Sequence, residues 1–205
     1  VCNTCYMFNH RPNSLNAGSL WGRPFYILRE AWNILNAIAE GKIESGDEKK
    51  LNALKGETMA VIALCQFDLT RCFGYPYTKD NGASLGAPLI DHLVGTYENP
   101  SRSTVAQAYD FIIETLEEAV TLMSEEKNNG RMNKYAARAL LARVYLYHND
   151  NRKAFDMAEQ LIKDVDASGS YALYPHEKYV AAWSVETKFG SESFFEIANS
   201  VDDTP

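Results

Sequence analysis

Apolar residues recur along most of this chain at the three- and four-residue spacing of helices. Residues 24–40 place Ile27, Ala31, Ile34, Leu35 and Ile38 on one predicted face, and Gly41 offers a stop. Ser45 and Glu48 have capping-box spacing. The next stripe runs Leu51, Leu54, Thr58, Ile62, Cys65, Leu69 and Cys72, predicting a helix that ends at Gly74 before Pro76. Residues 75–103 hold Gly82, Gly86, Pro88, Gly95 and Pro100 with no sustained period, so a long loop is expected, of the kind that often carries function. Thr104 and Gln107 repeat the capping-box spacing. Val105, Tyr109, Ile112, Ile113, Leu116, Val120 and Met123 follow as a helical stripe.

The clearest signal is GRMNKYAARALLARVYLYHNDNRKAFDMAEQLI, residues 130–162. Two alanine-rich amphipathic segments meet there at a polar turn. Ala137, Leu140, Leu141, Val144, Tyr145 and His148 line one face, and Ala154, Ala158, Leu161 and Ile162 the other. The spacing of Leu141, Ala142, Tyr145, Ala154 and Ala158 matches a tetratricopeptide repeat, in which small residues let two antiparallel helices approach closely. The pairs 24–40 with 47–73 and 104–124 with 133–148 suggest further hairpins. After residue 166 the helical pattern stops, and a short FFEI reads as a strand or a turn. The predicted fold is mainly α, with tetratricopeptide-like hairpins over 24–166, a loop region over 1–23 and an irregular segment over 167–205.

Composition narrows the functions. The 205 residues are 46% hydrophobic and 23% charged, with a net charge of −7, as in an ordinary soluble globular protein. Lysine and arginine are scattered, so a nucleic-acid partner is not expected. No apolar run approaches the roughly 20 residues of a membrane span. Cys2 and Cys5 form a lone CxxC without a second pair or paired histidines, so no metal and no cofactor is expected. Cys65 and Cys72 share one predicted helix about 10.5 Å apart along its axis, too far for a disulfide. They read as small apolar core residues.

Catalytic templates are missing. His10, His92, His148 and His176 are scattered, with His148 expected to be structural, and there is neither a GxSxG nor a Walker loop. Glu117/Glu118 and Glu125/Glu126 fall on the polar side of a helix, which suits a solvated face better than a glycosidase carboxylate pair. KDNG at 79–82 is turn chemistry. Aromatic residues are plentiful in the loops, among them Tyr6, Phe8, Trp21, Tyr75, Tyr77, Tyr97, Tyr171, Tyr174, Tyr179 and Trp183. Exposed rings beside polar groups stack on the C–H faces of sugars, and the same rings equally anchor loops to a helical core.

Four blocks resemble the SusD/RagB family of outer-membrane nutrient-binding lipoproteins. They are Trp21 followed by YILREAWNILNAI, with Asn33 and Asn36; KGETMAVIALCQFDLTRCFGYPY; STVAQAYDFIIETLEEAVTLM; and the repeat segment from residue 130. A later SESFFEIANS is similar to the family's S-E-x-IFEI strand. Met59 and Ile62 stand where the family usually has arginine, and Gln66 where it has tyrosine, which puts surface salt links there in doubt. Family members run about twice this length, so the chain is expected to be a portion of a longer protein, its lipid anchor lying outside.

The resemblance implies an α-α superhelix that binds an oligosaccharide, or a peptide, at the cell surface without catalysis. It implies delivery of that ligand to a SusC-like TonB-dependent transporter in the outer membrane of a Gram-negative bacterium. Ligand contacts before the first helix in relatives point to Tyr6, Phe8, Asn9, Arg11, Asn13 and Trp21. The alternative is a helical-repeat interaction scaffold with no sugar site.

Overall fold

The computed structural model describes Met7 and residues 15–43, 46–183 and 189–197. Its helices are α1 (Leu15–Ala39), α2 (Glu48–Phe73), α3 (Val105–Leu122), α4 (Lys134–Tyr147), α5 (Asn151–Ser168) and a single turn, α6 (Tyr179–Ala182). Strands β1 (Leu85–Pro88) and β2 (Arg102–Thr104) pair antiparallel, Leu85 opposite Thr104 and Pro88 opposite Arg102. Consecutive helices pack on one another, α1 on α2, α2 on α3, α3 on α4 and α4 on α5, as in a chain of hairpins.

Local chemistry explains most boundaries. Asp47 caps α2, its side chain accepting from the backbone N–H groups of Lys49 and Lys50. The cap is therefore Asp47 rather than the expected Ser45, which lies outside the described residues. Gly74 ends α2, donating its N–H to the Thr70 carbonyl at 2.8 Å. At α3 the expected capping box is present: the Thr104 hydroxyl accepts from the Gln107 N–H, and the Gln107 amide oxygen accepts from the Thr104 N–H. Asn133 and Asp150 cap α4 and α5 through their side chains. At the end of α1, Gly41 takes a positive φ of 67° that favours glycine.

The core has a large centre and two satellites. Met59, Ala63 and Phe67 of α2 meet Tyr109, Ile112 and Leu116 of α3 and Ala137, Leu141, Val144 and Tyr145 of α4, with Ala154 of α5 closing the hairpin. Leu28 and Ala31 of α1 pack on Ile62, Cys65 and Leu69 of α2, together with Ala87 and Ile90 beyond it. Tyr135, Leu161, Val165 and Tyr171 form the third group. The middle helix α2 is thus buried on two sides. Cys65 is core, and burial with the nearby Asp68 pushes its thiol up to about 11. Cys72 is exposed, against the expectation that both were core. Met59, Ile62 and Gln66 are all buried, so these positions hold no surface salt links.

The first helix departs most from expectation. It starts at Leu15, nine residues before the expected start, and runs through Pro24. Proline lacks the N–H of an interior helical bond, and Gly18 and Gly22 weaken the preceding turn, so the pattern there is faint. Its buried face is also rotated. Leu28, Ala31, Trp32 and Leu35 face the core, while Ile27 and Ile34 are 40% and 37% exposed.

The long segment 75–103 is ordered by the small sheet. Arg102 anchors it, donating from Nε to the Gly86 carbonyl at 2.6 Å and from Nη2 to that of Leu85 at 2.8 Å. Val105 and Ala106 donate their N–H groups to Ser84 and Gly82, fastening the segment to the start of α3. The FFEI stretch is irregular and makes no strand within the described residues. There Phe194 packs on Tyr171 and Tyr135.

Candidate functional site

A half-open cleft of about 380 Å³ lies between α1 and the segment that links the two strands. Trp21, Phe25 and Arg29, one helical turn apart, form one wall. Pro88, Ile90, His92, Val94 and Pro100 form the other. Its size and mostly apolar lining with a few polar groups are those of a small-molecule site.

Each wall is fixed by contacts from elsewhere. Trp21 stands edge-on to Phe25 at 5.0 Å and to Phe73, at the end of α2, at 4.8 Å. Pairs of this kind contribute about 0.5–1.5 kcal/mol beyond burial. Trp21 remains 40% exposed, so it is held in place with surface to spare. On the other wall, the Trp32 indole N–H donates to the Ile90 carbonyl at 3.2 Å. Gln66, fully buried in α2, donates from Nε2 to the Pro88 carbonyl at 3.1 Å and accepts the Ile90 N–H at 3.3 Å.

Charge at the rim is paired. His92 Nδ1 lies 2.6 Å from Asp91 and Nε2 2.8 Å from Glu98, whose second oxygen accepts the Gly95 N–H. A neutral imidazole has one N–H, so only the imidazolium serves both carboxylates. Hydrogen bonds to Asp91 and Glu98 accordingly hold the His92 pKa above its ordinary value of 6.5. The Gly95 N–H and His92 hold Glu98 below its ordinary 4.5. A raised histidine contributes stability fully below about pH 6.5 and loses it as pH rises through its folded pKa. A lowered carboxylate contributes above about pH 4.5 and loses it as pH falls. The loop is therefore firmest between these values. We expect the His92 ring resonances to titrate with a midpoint above 6.5, and Glu98→Gln to move that midpoint down. A midpoint unchanged by Glu98→Gln would break the assigned pairing.

Of the residues expected to contact ligand, Trp21 lines this cleft. Tyr6, Phe8, Asn9, Arg11 and Asn13 lie outside the described residues. The loop aromatics divide. Tyr171 is buried, its hydroxyl oxygen accepting from Asn133 Nδ2 at 2.7 Å, and Tyr77 packs on Tyr109 and His148. Tyr75, Tyr97, Tyr179 and Trp183 are exposed. His148 ends α4 and stacks on Tyr77 and Tyr109, a structural position. The paired acids are solvated. Glu117 accepts from Tyr145, Glu118 pairs with Lys55 and Glu125 with Lys134. Phe25, Arg29 and the whole second wall were not legible as site residues, because the turns of segment 88–100 follow no period.

A model of the SusD-like family described as starch-binding and associating with the outer membrane matches residues 3–146. The chain belongs to this SusD-like family. A crystal structure of a SusD superfamily protein from Bacteroides vulgatus ATCC 8482 is 96% identical, with a TM-score of 0.94, and is similar over 100% of this chain and 46% of that one. Another from Bacteroides thetaiotaomicron VPI-5482 is 41% identical, with a TM-score of 0.81, over 86% of this chain and 38% of that one. A laminarin binding SusD-like protein shares the fold at 24% identity and a TM-score of 0.66, over 86% of this chain and 36% of that one. No curated protein sequence matches significantly. The SusD-like chain thus spans less than half the length of these structures. Its helical fold is the family's, and the helical hairpin read at 130–162 is α4 and α5.

Proposed function

We propose that this SusD-like chain binds an oligosaccharide, without chemical change to it, on the Trp21 wall of the cleft. The observation that carries the reading is the Trp21 indole: pinned edge-on by Phe25 and Phe73, it keeps surface free beside the polar rim. A rigid ring costs little entropy to present, and its face suits the C–H surface of a pyranose. In the whole protein, the ligand would pass to a SusC-like TonB-dependent transporter at the outer membrane of a Gram-negative bacterium, with a lipid anchor outside this chain. The family's description and a laminarin-binding structural neighbour support this reading.

Affinity electrophoresis and calorimetry on a polysaccharide panel test it. The expected Kd is micromolar to millimolar, about −8 to −4 kcal/mol. Trp21→Ala should weaken it at least tenfold, about 1.4 kcal/mol, with the far-ultraviolet circular dichroism unchanged. Undiminished affinity in a folded variant would move the site away from this cleft.

A second reading, a protein-interaction scaffold with no sugar site, has one observation in its favour. Leu20, Tyr26, Ile27 and Ile34 present exposed apolar surface along α1. A blank glycan panel together with co-purification of a membrane barrel would favour it.

A further inference from the structure

The charged groups around the cleft are all paired. Two positive groups line it, Arg29 and His92. Arg29 donates from Nε and Nη2 to a single Glu30 oxygen at 3.1 and 2.9 Å. His92 is held by Asp91 on one nitrogen and Glu98 on the other. With two cations against three carboxylates, these groups sum to −1, on a chain whose net charge is −7. Building on the reading of the cleft as a saccharide site, we infer that it takes an uncharged pyranose and discriminates against uronate and sulfated glycans.

The physical reason is competition. An anionic group that takes the paired N–H groups of Arg29 or His92 must displace a carboxylate tethered beside its cation, and tethering gives that carboxylate a high effective concentration. If it does not displace one, it leaves water for an apolar wall of Pro88, Ile90 and Val94 beside cations whose charge the paired carboxylates already balance, which is costly. A neutral ring meets neither penalty. Its C–H face covers Trp21, and its hydroxyls can hydrogen-bond the carboxylate lone pairs that pairing leaves open at the rim. The negative sum thus opposes an acid and leaves a neutral sugar its hydrogen bonds. His92 acts here as a positioning residue that keeps Asp91 and Glu98 on the rim.

The experiment uses the full 205-residue chain. Affinity gels and calorimetry at low salt, where charge effects are least screened, compare neutral laminarin, starch and dextran with acidic polygalacturonate and chondroitin sulfate. We expect the best neutral glycan to bind at least tenfold more tightly than either acidic one. Glu98→Gln should narrow that ratio by about threefold, the worth of one unit charge at roughly 7 Å in near-aqueous surroundings. An acidic glycan that binds as tightly as any neutral one, and is lost in Trp21→Ala, overturns this inference and leaves the cleft as the site. Binding of any glycan that Trp21→Ala does not weaken, or binding of none, overturns the site and the inference with it. Should Trp21→Ala fail to fold, the Trp21 indole N–H resonance decides. It should shift with the neutral ligand and stay unmoved by the acidic ones, and the reverse pattern overturns the inference.

Discussion

Replacing Gln66 by leucine should destabilise the protein by about 2–4 kcal/mol and loosen the cleft. The two side chains have similar volumes, so little cavity forms and the loss comes from polar groups. In the native protein both ends of the amide are used: Nε2 donates to the Pro88 carbonyl and Oε1 accepts the Ile90 N–H, the latter fully buried. Leucine satisfies neither. A buried backbone group left without a partner costs about 1–3 kcal/mol; the Ile90 N–H is such a group, and the half-buried Pro88 carbonyl adds part of a second such cost. Against this, burying leucine instead of an amide recovers desolvation energy, which is why the lower half of the summed range is expected. Pro88 and Ile90 also form a wall of the cleft, so glycan affinity should fall along with stability. Urea unfolding gives the first quantity and calorimetry the second. A stability change under about 0.5 kcal/mol would mean that water or a shifted strand satisfies both groups.

The same residue shows what the sequence could and could not tell. Boundaries set by neighbours in the chain were legible: Thr104 with Gln107, Gly74 before Pro76, and the small residues Ala137 and Ala154 that let α4 and α5 approach. Each depends on residues within a few positions. Gln66 depends on Pro88 and Ile90, 22 and 24 positions on, in a segment without period. Nothing near it in the chain reveals the use of its amide. The face of α1 failed for a different reason. Ile27 and Ile34 form one apolar row, while Leu28, Trp32 and Leu35 form another beside it, so spacing alone fits both. The choice is made by tertiary contacts, chiefly the Trp32 indole bonded to the Ile90 carbonyl and Leu28 buried against α2. Trp21 entered the site through a family resemblance, and its opposite wall only through the folded segment 88–100.

Gly56 lies inside α2, where helix propensity alone favours alanine by about 1 kcal/mol. Even so, Gly56→Ala should lower stability by about 1 kcal/mol net and Gly56→Val by about 3 kcal/mol. The reason is the closeness of α3. A Cβ at this position would sit 2.7 Å from Met123 Cγ, 2.9 Å from the Ala119 carbonyl oxygen and 3.0 Å from Leu122 Cβ. The methionine can swing aside, since its chain is flexible. The carbonyl cannot, because it belongs to the helix backbone; α2 and α3 must therefore separate. Overpacking of this kind typically costs 1–3 kcal/mol, which outweighs the gain in propensity. Valine adds branched bulk and a poorer helix former to the same clash. The neighbouring Glu57 accepts from the Arg131 guanidinium and from the Met132 N–H at 3.0 Å, so separating the helices there also strains the turn leading into α4. Thermal and urea unfolding of the two variants measure the order of effects. A Gly56→Ala protein more stable than the original would show that the end of α3 yields at no cost, and that glycine is not needed for the helix contact.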